Sequence, residues 1–393
     1  MIFKRKLYDK LLVWKQQTAG TKALLIEGAR RIGKSTLVEE FAKNEYRSYL
    51  MIDFNKVSDS VISAFNNYMN DLDTFFLILS SEYGVRLYPK ESIIIFDEIQ
   101  QFPKARQAIK YLVADGRFDY IETGSLISIK ENVNDITIPS EERTLLMYPM
   151  DFEEFAWAMN EEPLMAYIRQ CFDKKVPLEQ GIHAKAMLLF RQYMIVGGMP
   201  KSLSAYLENN RNFEMADMEK RDILTLYRND IKKIKSGYRS SVLSIFDQIP
   251  AFLSRSERRV VMNRIEKGAS FPKYHDTFFW LSDSMIANEC FNCSDPNVGL
   301  SLNEDRTYVK CYMGDTGLLI SHTFDENEIS DGELYREILL GKLSVNEGMF
   351  YENVIAQMLV AAGHKLYFYT RYNQEKHRND MEIDFILSNH TEI

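Results

Sequence analysis

The stretch Gly28-Ala29-Arg30-Arg31-Ile32-Gly33-Lys34-Ser35-Thr36 constrains this chain more than any other. It follows the apolar run Ala23-Leu24-Leu25-Ile26 and precedes Leu37-Val38-Glu39-Glu40-Phe41-Ala42, whose apolar positions recur at helical spacing. Strand, glycine loop and helix in that order is the setting of a phosphate-binding loop. Two glycines let the backbone curl until its N–H groups, with a helix N-terminus behind them, surround a polyphosphate. Lys34 then reaches the β- and γ-phosphates, and Ser35 offers a hydroxyl to Mg²⁺, which prefers oxygen ligands. The alternative, a glycine turn that matches by chance, leaves the strand-to-helix setting unexplained.

At 393 residues the chain exceeds what one core organises, and about two to four domains are expected. A net charge of −8 argues against a globally basic nucleic-acid coat, while local basic patches stay open. Met1 to Lys6 lead into an amphipathic segment (Leu7, Leu11, Leu12, Trp14) rather than a long apolar leader. No apolar run approaches the ~18 residues needed to span a bilayer. Four cysteines in so long a chain fit a reducing compartment, so a cytoplasmic protein without a membrane partner is expected.

Further strands are expected at Ser48–Asp53 and at Ser92-Ile93-Ile94-Ile95-Phe96-Asp97, the latter apolar on both faces as a buried parallel sheet requires. Asp97 and Glu98 fall at its C-terminal end, where open α/β sheets place their ligands. Asp97 is the candidate to hold Mg²⁺ through its water shell, and Glu98 to accept a proton from the attacking water. The plainer explanation of the pair is a helix N-cap. The strand Phe118–Glu122 runs into Thr123-Gly124-Ser125, where a hydroxyl, with Ser125 as the candidate, senses the water or the γ-phosphate, or else merely closes a polar turn. A fifth strand is expected at Thr144–Tyr148. Arg143, just ahead of it, presents a guanidinium to the γ-phosphate of its own or a neighbouring subunit, or is an ordinary surface charge.

Together the glycine loop, the run Ile-Ile-Ile-Phe-Asp-Glu, Thr-Gly-Ser and Tyr148-Pro149-Met150-Asp151-Phe152-Glu153-Glu154-Phe155 resemble the prokaryotic AAA-type ATPases that carry a C-terminal domain of unknown function (DUF4143) related to the restriction-endonuclease fold. The resemblance covers most of the chain, in order. It implies an α/β P-loop NTPase core with a parallel sheet over 1–147, a helical lid over 148–237, a winged-helix domain over 238–325 and an incomplete nuclease-like segment over 326–393. It also carries a Gly-Gly-x-Pro element, here Gly197-Gly198-Met199-Pro200, best understood as a tight turn between lid helices. Where the family reads Gly-Arg before the fifth strand, this chain has Glu142-Arg143.

Two basic stretches stand out. Lys220, Arg221, Arg228, Lys232, Lys233 and Lys235 suggest a solvated helix face or, failing that, contact with a phosphate backbone. Arg255, Arg258, Arg259, Arg264, Lys267 and Lys273 surround the implied winged helix, a fold that docks DNA or serves as a protein-interaction module. Asp315-Thr316-Gly317 resembles an aspartic-protease triplet, but no second triplet exists to share a proton, and a turn entering Leu318 explains it better. Cys290-x-x-Cys293 with Cys311 lacks the further ligands of a zinc site and is expected to be buried thiol. Near the end, the resemblance matches Glu352 and Asp384 to the acidic positions of the nuclease-like domain. A strand with Glu-x-Lys would follow in the family, and a longer natural polypeptide is expected on that ground.

A Mg²⁺-dependent ATPase is therefore expected, with ATP and Mg²⁺ as cofactors and with DNA, a protein client and an oligomeric state as further expectations. The rivals are an ATP-gated binding module with little hydrolysis, a nuclease-associated ATPase if the chain is longer, and, last, a small-molecule kinase. Glu98 beside Asp97 favours water as the nucleophile over a kinase acceptor.

Overall fold

The structure, a computed structural model, describes residues 1–125, 139–234, 237–255, 258–260, 271–296, 299–325, 332–341, 347–373 and 378–388. Lys235, Arg264 and Lys267 lie outside the described residues, as does the side chain of Lys273. The chain divides into two compact units, Met1–Tyr148 and Pro149–Ile393.

In the first unit, helix α1 (Lys6–Gln17) precedes β1 (Ala23–Gly28), α2 (Lys34–Glu45), β2 (Ser48–Asp53), α3 (Asp59–Asn67), α4 (Leu72–Tyr83) and β3 (Ser92–Asp97). A short 3-10 turn (Ile99–Gln101), α5 (Pro103–Asp115), β4 (Asp119–Gly124) and β5 (Glu142–Met147) complete it. The five strands form one parallel sheet in the order β2-β3-β4-β1-β5. Every residue of β1 and of β3 is buried, which is why both read as unbroken apolar runs rather than alternating ones. Leu37, Val38, Phe41 and Ala42 form the buried stripe of α2, and Leu7, Leu11 and Trp14 that of α1.

The strand order determines what meets at the top of the sheet. Because β4 lies between β1 and β3, the end of β4 stands between the glycine loop and the acid pair. Ile26 of β1 is level with Thr123 of β4, and Phe96 of β3 with Glu122, so Asp97 falls beside Thr123.

The second unit begins with helices α6 (Phe152–Ala158), α7 (Glu162–Asp173), α8 (Gln180–Val196), α9 (Pro200–Glu208) and α10 (Phe213–Lys232). There follow α11 (Arg239–Leu253), α12 (Phe271–Asp283), β6 (Ala287–Cys293), β7 (Glu304–Met313) and α13 (Thr316–Thr323). Last come α14 (Glu333–Leu340), α15 (Glu347–Ala361), β8 (Leu366–Asn373) and β9 (Arg378–Ile386).

The four strands form one mixed sheet in the order β7-β6-β8-β9, with β6 parallel to β8 and the other pairs antiparallel. Strands β6 and β7, which fall in the 238–325 segment expected as a winged helix, are therefore continuous with strands from the segment after residue 326. Strand pairing at long sequence separation crosses the boundary that the resemblance implied.

Three sequence motifs meet in one buried node of this unit. Asp151 caps α6 by accepting from Glu154 N at 2.9 Å, and the Glu154 carboxylate accepts from Asp151 N at 3.2 Å, a reciprocal capping box. Met150 N donates to Gly198 O at 2.8 Å, and Gly198 N donates to Asp315 Oδ2 at 2.6 Å. A Cβ on Gly198 would stand 2.2 Å from Met150 O, and one on Gly317 2.5 Å from Gly197 Cα, so bare backbone is required at both places. Asp315 also caps α13 through Leu318 N at 2.9 Å. Its position in Asp-Thr-Gly thus serves helix capping and backbone docking.

Candidate functional site

Gly28 ends β1 and is pressed against the end of β5, since a Cβ there would lie 2.4 Å from Met147 O. Ala29 and Ile32 are buried, whereas Arg30, Arg31 and Thr36 are exposed. Arg31 has φ +68° and Gly33 φ +94°, two left-handed residues that reverse the chain into the N-terminus of α2. Lys34 opens that helix, and its ammonium donates to the carbonyls of Gly28 at 3.0 Å and Ala29 at 2.9 Å. Burial pulls the Lys34 ammonium down to about 8; Glu98 and Asp97 oppose that shift, while Arg30 adds to it.

Ser35, the next residue, donates to Asp97 Oδ1 at 2.7 Å. Thr123 donates to the same carboxylate oxygen. Glu98 is a non-glycine residue at φ +54°, an unusual conformation that turns the chain sharply after β3. Its backbone N–H points to Thr123 Oγ1 at 3.4 Å, and its carboxylate accepts from the Gln100 side chain. Lys34, Ser35, Asp97 and Glu98 are thus brought together as the sequence suggested, on the C-terminal side of a parallel sheet.

Two expected residues are placed differently. Thr123, given no role of its own from the sequence, donates to Asp97, whereas Ser125 was the hydroxyl expected to meet the water or the γ-phosphate. Strand β4 extends to Gly124, two residues past the expected end, which puts Thr123 level with Asp97; Ser125 is buried one step beyond the strand. Arg143 lies within β5, opposite Leu24, at the start of the parallel strands. The four residues from Leu24 to Gly28 span about 13 Å at strand rise. That distance, with Arg143 exposed, removes it as a finger for the loop of its own chain.

Glu142, where the family has glycine, is explained by Arg106 of α5. The two form a buried bidentate pair, Nη2–Oε1 2.8 Å and Nε–Oε2 3.1 Å. Glu122 is fully buried beside them, and burial, then the neighbouring Glu142 carboxylate, drives its carboxyl well above the usual range, so it is held neutral. Sequence reasoning also passed over Arg5, which donates to Ile32 O within the loop at 2.9 Å and to Tyr148 O at 2.6 Å. A lone arginine in a basic N-terminal run carries no signal that would single it out.

In the second unit, three carboxylates surround the ammonium of Lys310, which is wholly buried: Asp384 at 3.0 Å, Glu352 at 3.1 Å and Glu382 at 3.4 Å. Tyr312 and Arg258 also contact Glu352. Among the described residues no group of three or more His, Cys, Asp or Glu side chains is arranged to hold a metal ion. Cys290 and Cys311 are buried thiols whose ionisation burial pushes upward.

The basic stretches are largely engaged internally. Lys220 is fully buried against Ile195 O at 2.6 Å, Arg221 pairs with Asp217 at 2.7 Å, and Arg228 with Asp325 at 2.7 Å and Asp247 at 3.0 Å. Arg259 lies over the Tyr308 ring at 5.1 Å.

The first unit is therefore an α/β domain with a five-stranded parallel sheet. Residues 20–156 match the AAA domain family, and residues 187–328 match a domain of unknown function (DUF8612) rather than the DUF4143 domain the resemblance implied. Among curated proteins, none matches. Solved structures similar to this chain include AMPPCP-bound DnaA from Aquifex aeolicus, at 11% identity over 72% of this chain and 87% of that one, TM-score 0.29. Cdc6p from Pyrobaculum aerophilum is similar at 12% identity over 86% of this chain and 93% of that one, TM-score 0.29. Among the described residues no helix is long and apolar enough to cross a membrane.

Proposed function

We propose that the first unit binds and hydrolyses ATP with Mg²⁺. One observation carries this reading: the strand-loop-helix with Lys34 and Ser35 meets Asp97 and Glu98 at the C-terminal ends of β1 and β3, the strands on either side of β4, with Ser35 and Asp97 hydrogen-bonded. Ser35 and Asp97 supply a hard, oxygen-only donor set that suits Mg²⁺, which commonly uses one protein carboxylate beside phosphate oxygens and waters. When bound, that ion would neutralise charge on the phosphates.

The backbone of residues 28–35 and the Lys34 ammonium would bind the phosphates. Lys34 would exchange the Gly28 and Ala29 carbonyls for phosphate oxygens. Glu98, held by Gln100, would orient water and accept its proton. Thr123, bonded to Asp97 and facing the Glu98 amide, would keep the two acids in register. Arg143 would act only on the site of a neighbouring subunit. Release of inorganic phosphate from Mg-ATP by the intact chain, measured with and without duplex DNA, tests the proposal; binding without release would favour the ATP-gated switch instead.

For the second unit we propose a restriction-endonuclease-like sheet in which Lys310 takes the place of a cation. A divalent ion between Glu352 and Asp384 does not fit, because a buried ammonium already stands among the carboxylates. Cleavage of nucleic acid is accordingly not proposed. A DNA partner, a protein client and an oligomer remain part of the proposal for the whole chain.

A further inference from the structure

A loop that turns its N–H groups inward toward an anion turns carbonyls outward, and a buried carbonyl needs a donor. The Gly28 and Ala29 carbonyls receive Lys34. The Ile32 carbonyl, on a residue with no exposed surface, receives Arg5 Nη1 at 2.9 Å. The other arm of the same guanidinium donates to Tyr148 O at 2.6 Å, one residue past β5. Gly28 is independently pressed against Met147 O at that strand end. The outer strand and the loop are thus in contact at one place and bridged by a buried planar cation at another. Arg5 is 7% exposed and directly precedes α1, whose buried Leu7, Leu11 and Trp14 fix where it stands.

We infer that Arg5 is a positioning residue for the phosphate loop, bracing the Ile32 peptide against the end of β5 so that the loop's N–H groups are aimed before a polyphosphate arrives. The inference rests on the nucleotide reading of the site. The guanidinium offers a rigid fork of donors, whereas a lysine in its place presents a single ammonium. Bracing of this kind lowers the ordering cost of binding.

The test uses the full chain with Arg5→Met and Arg5→Lys. Mg-nucleotide affinity is measured by titration with a fluorescent ATP analogue, and melting is followed with and without Mg-ATP. Arg5→Met is expected to weaken nucleotide binding at least about tenfold and to shrink the nucleotide-induced rise in Tm, with Arg5→Lys in between. A lowered Tm of the free protein with wild-type affinity in both variants would make Arg5 a packing residue only and overturn the inference. Should Arg5→Met fail to fold, Arg5→Lys decides alone: wild-type affinity rejects the brace and weakened affinity supports it. A wild-type chain that takes up no Mg-nucleotide would overturn the ATPase proposal itself, and this inference with it.

Discussion

Ser35 and Asp97 lie 62 positions apart in the chain and are joined by a 2.7 Å hydrogen bond from the serine hydroxyl to Asp97 Oδ1. The bond links the first turn of α2 to the end of β3 across the width of β4. It brings together the two oxygen donors that a magnesium nucleotide would use.

Asp97→Asn keeps the shape and removes the charge. If Asp97 holds Mg²⁺ through its water shell, the affinity gained on adding Mg²⁺ should fall by about 10- to 100-fold. Nucleotide binding in the presence of a chelator should change little. Parallel titrations with Mg²⁺ and with EDTA separate the two effects.

Glu98→Gln retains the size of the side chain and its contact partner Gln100. Turnover should drop by about 10²- to 10⁴-fold, the range of a positioned general base, while nucleotide affinity stays near wild type. Phosphate release at saturating Mg-ATP reads this directly, and undiminished turnover would remove Glu98 from the chemistry.

The pH dependence follows from Lys34, whose ammonium burial pulls from 10.5 to about 8. Between those values the unfolded chain binds the proton and the folded chain does not. Stability from this group therefore rises with pH across that window, and the cost of burying the cation is fully present below it. Phosphate binding favours the ammonium, so nucleotide affinity should weaken as pH climbs past about 8. Dissociation constants measured from pH 6.5 to pH 9.5, about the range that brackets the transition, should show this decline in wild type and a flat profile in Lys34→Met.

Arg106 holds the buried Glu142 carboxylate in a bidentate pair, with the neutral Glu122 beside it. Arg106→Met should cost about 3–5 kcal/mol of stability by leaving Glu142 charged and buried. Adding Glu142→Leu should recover much of the loss. Urea unfolding of the single and double variants measures both.

Local chemistry made much of the first unit legible. Buried parallel strands read as apolar runs, and β2 and β3 fall where Ser48–Asp53 and Ser92–Asp97 were expected. The loop announced itself through Gly28, Gly33 and Lys34. What depends on pairing between distant segments did not. Extending β4 by two residues brought Thr123 level with Asp97, and two residues of strand before Thr144 placed Arg143 beside Leu24. Lys220 read as part of a solvated helix face, and Lys310 was given no role, because composition does not reveal the carbonyls and carboxylates that bury them. The winged-helix segment expected over 238–325 gave no sign that its strands continue into a larger sheet, because the parallel partner β8 lies more than 50 residues further on.

Isothermal titration of the intact protein with Mg-ATP, beside Lys34→Met, tests the central claim most directly. Saturable binding at one site per chain, lost or greatly weakened in Lys34→Met, is the predicted result. No heat in the wild type, or equal affinity in both proteins, would contradict it.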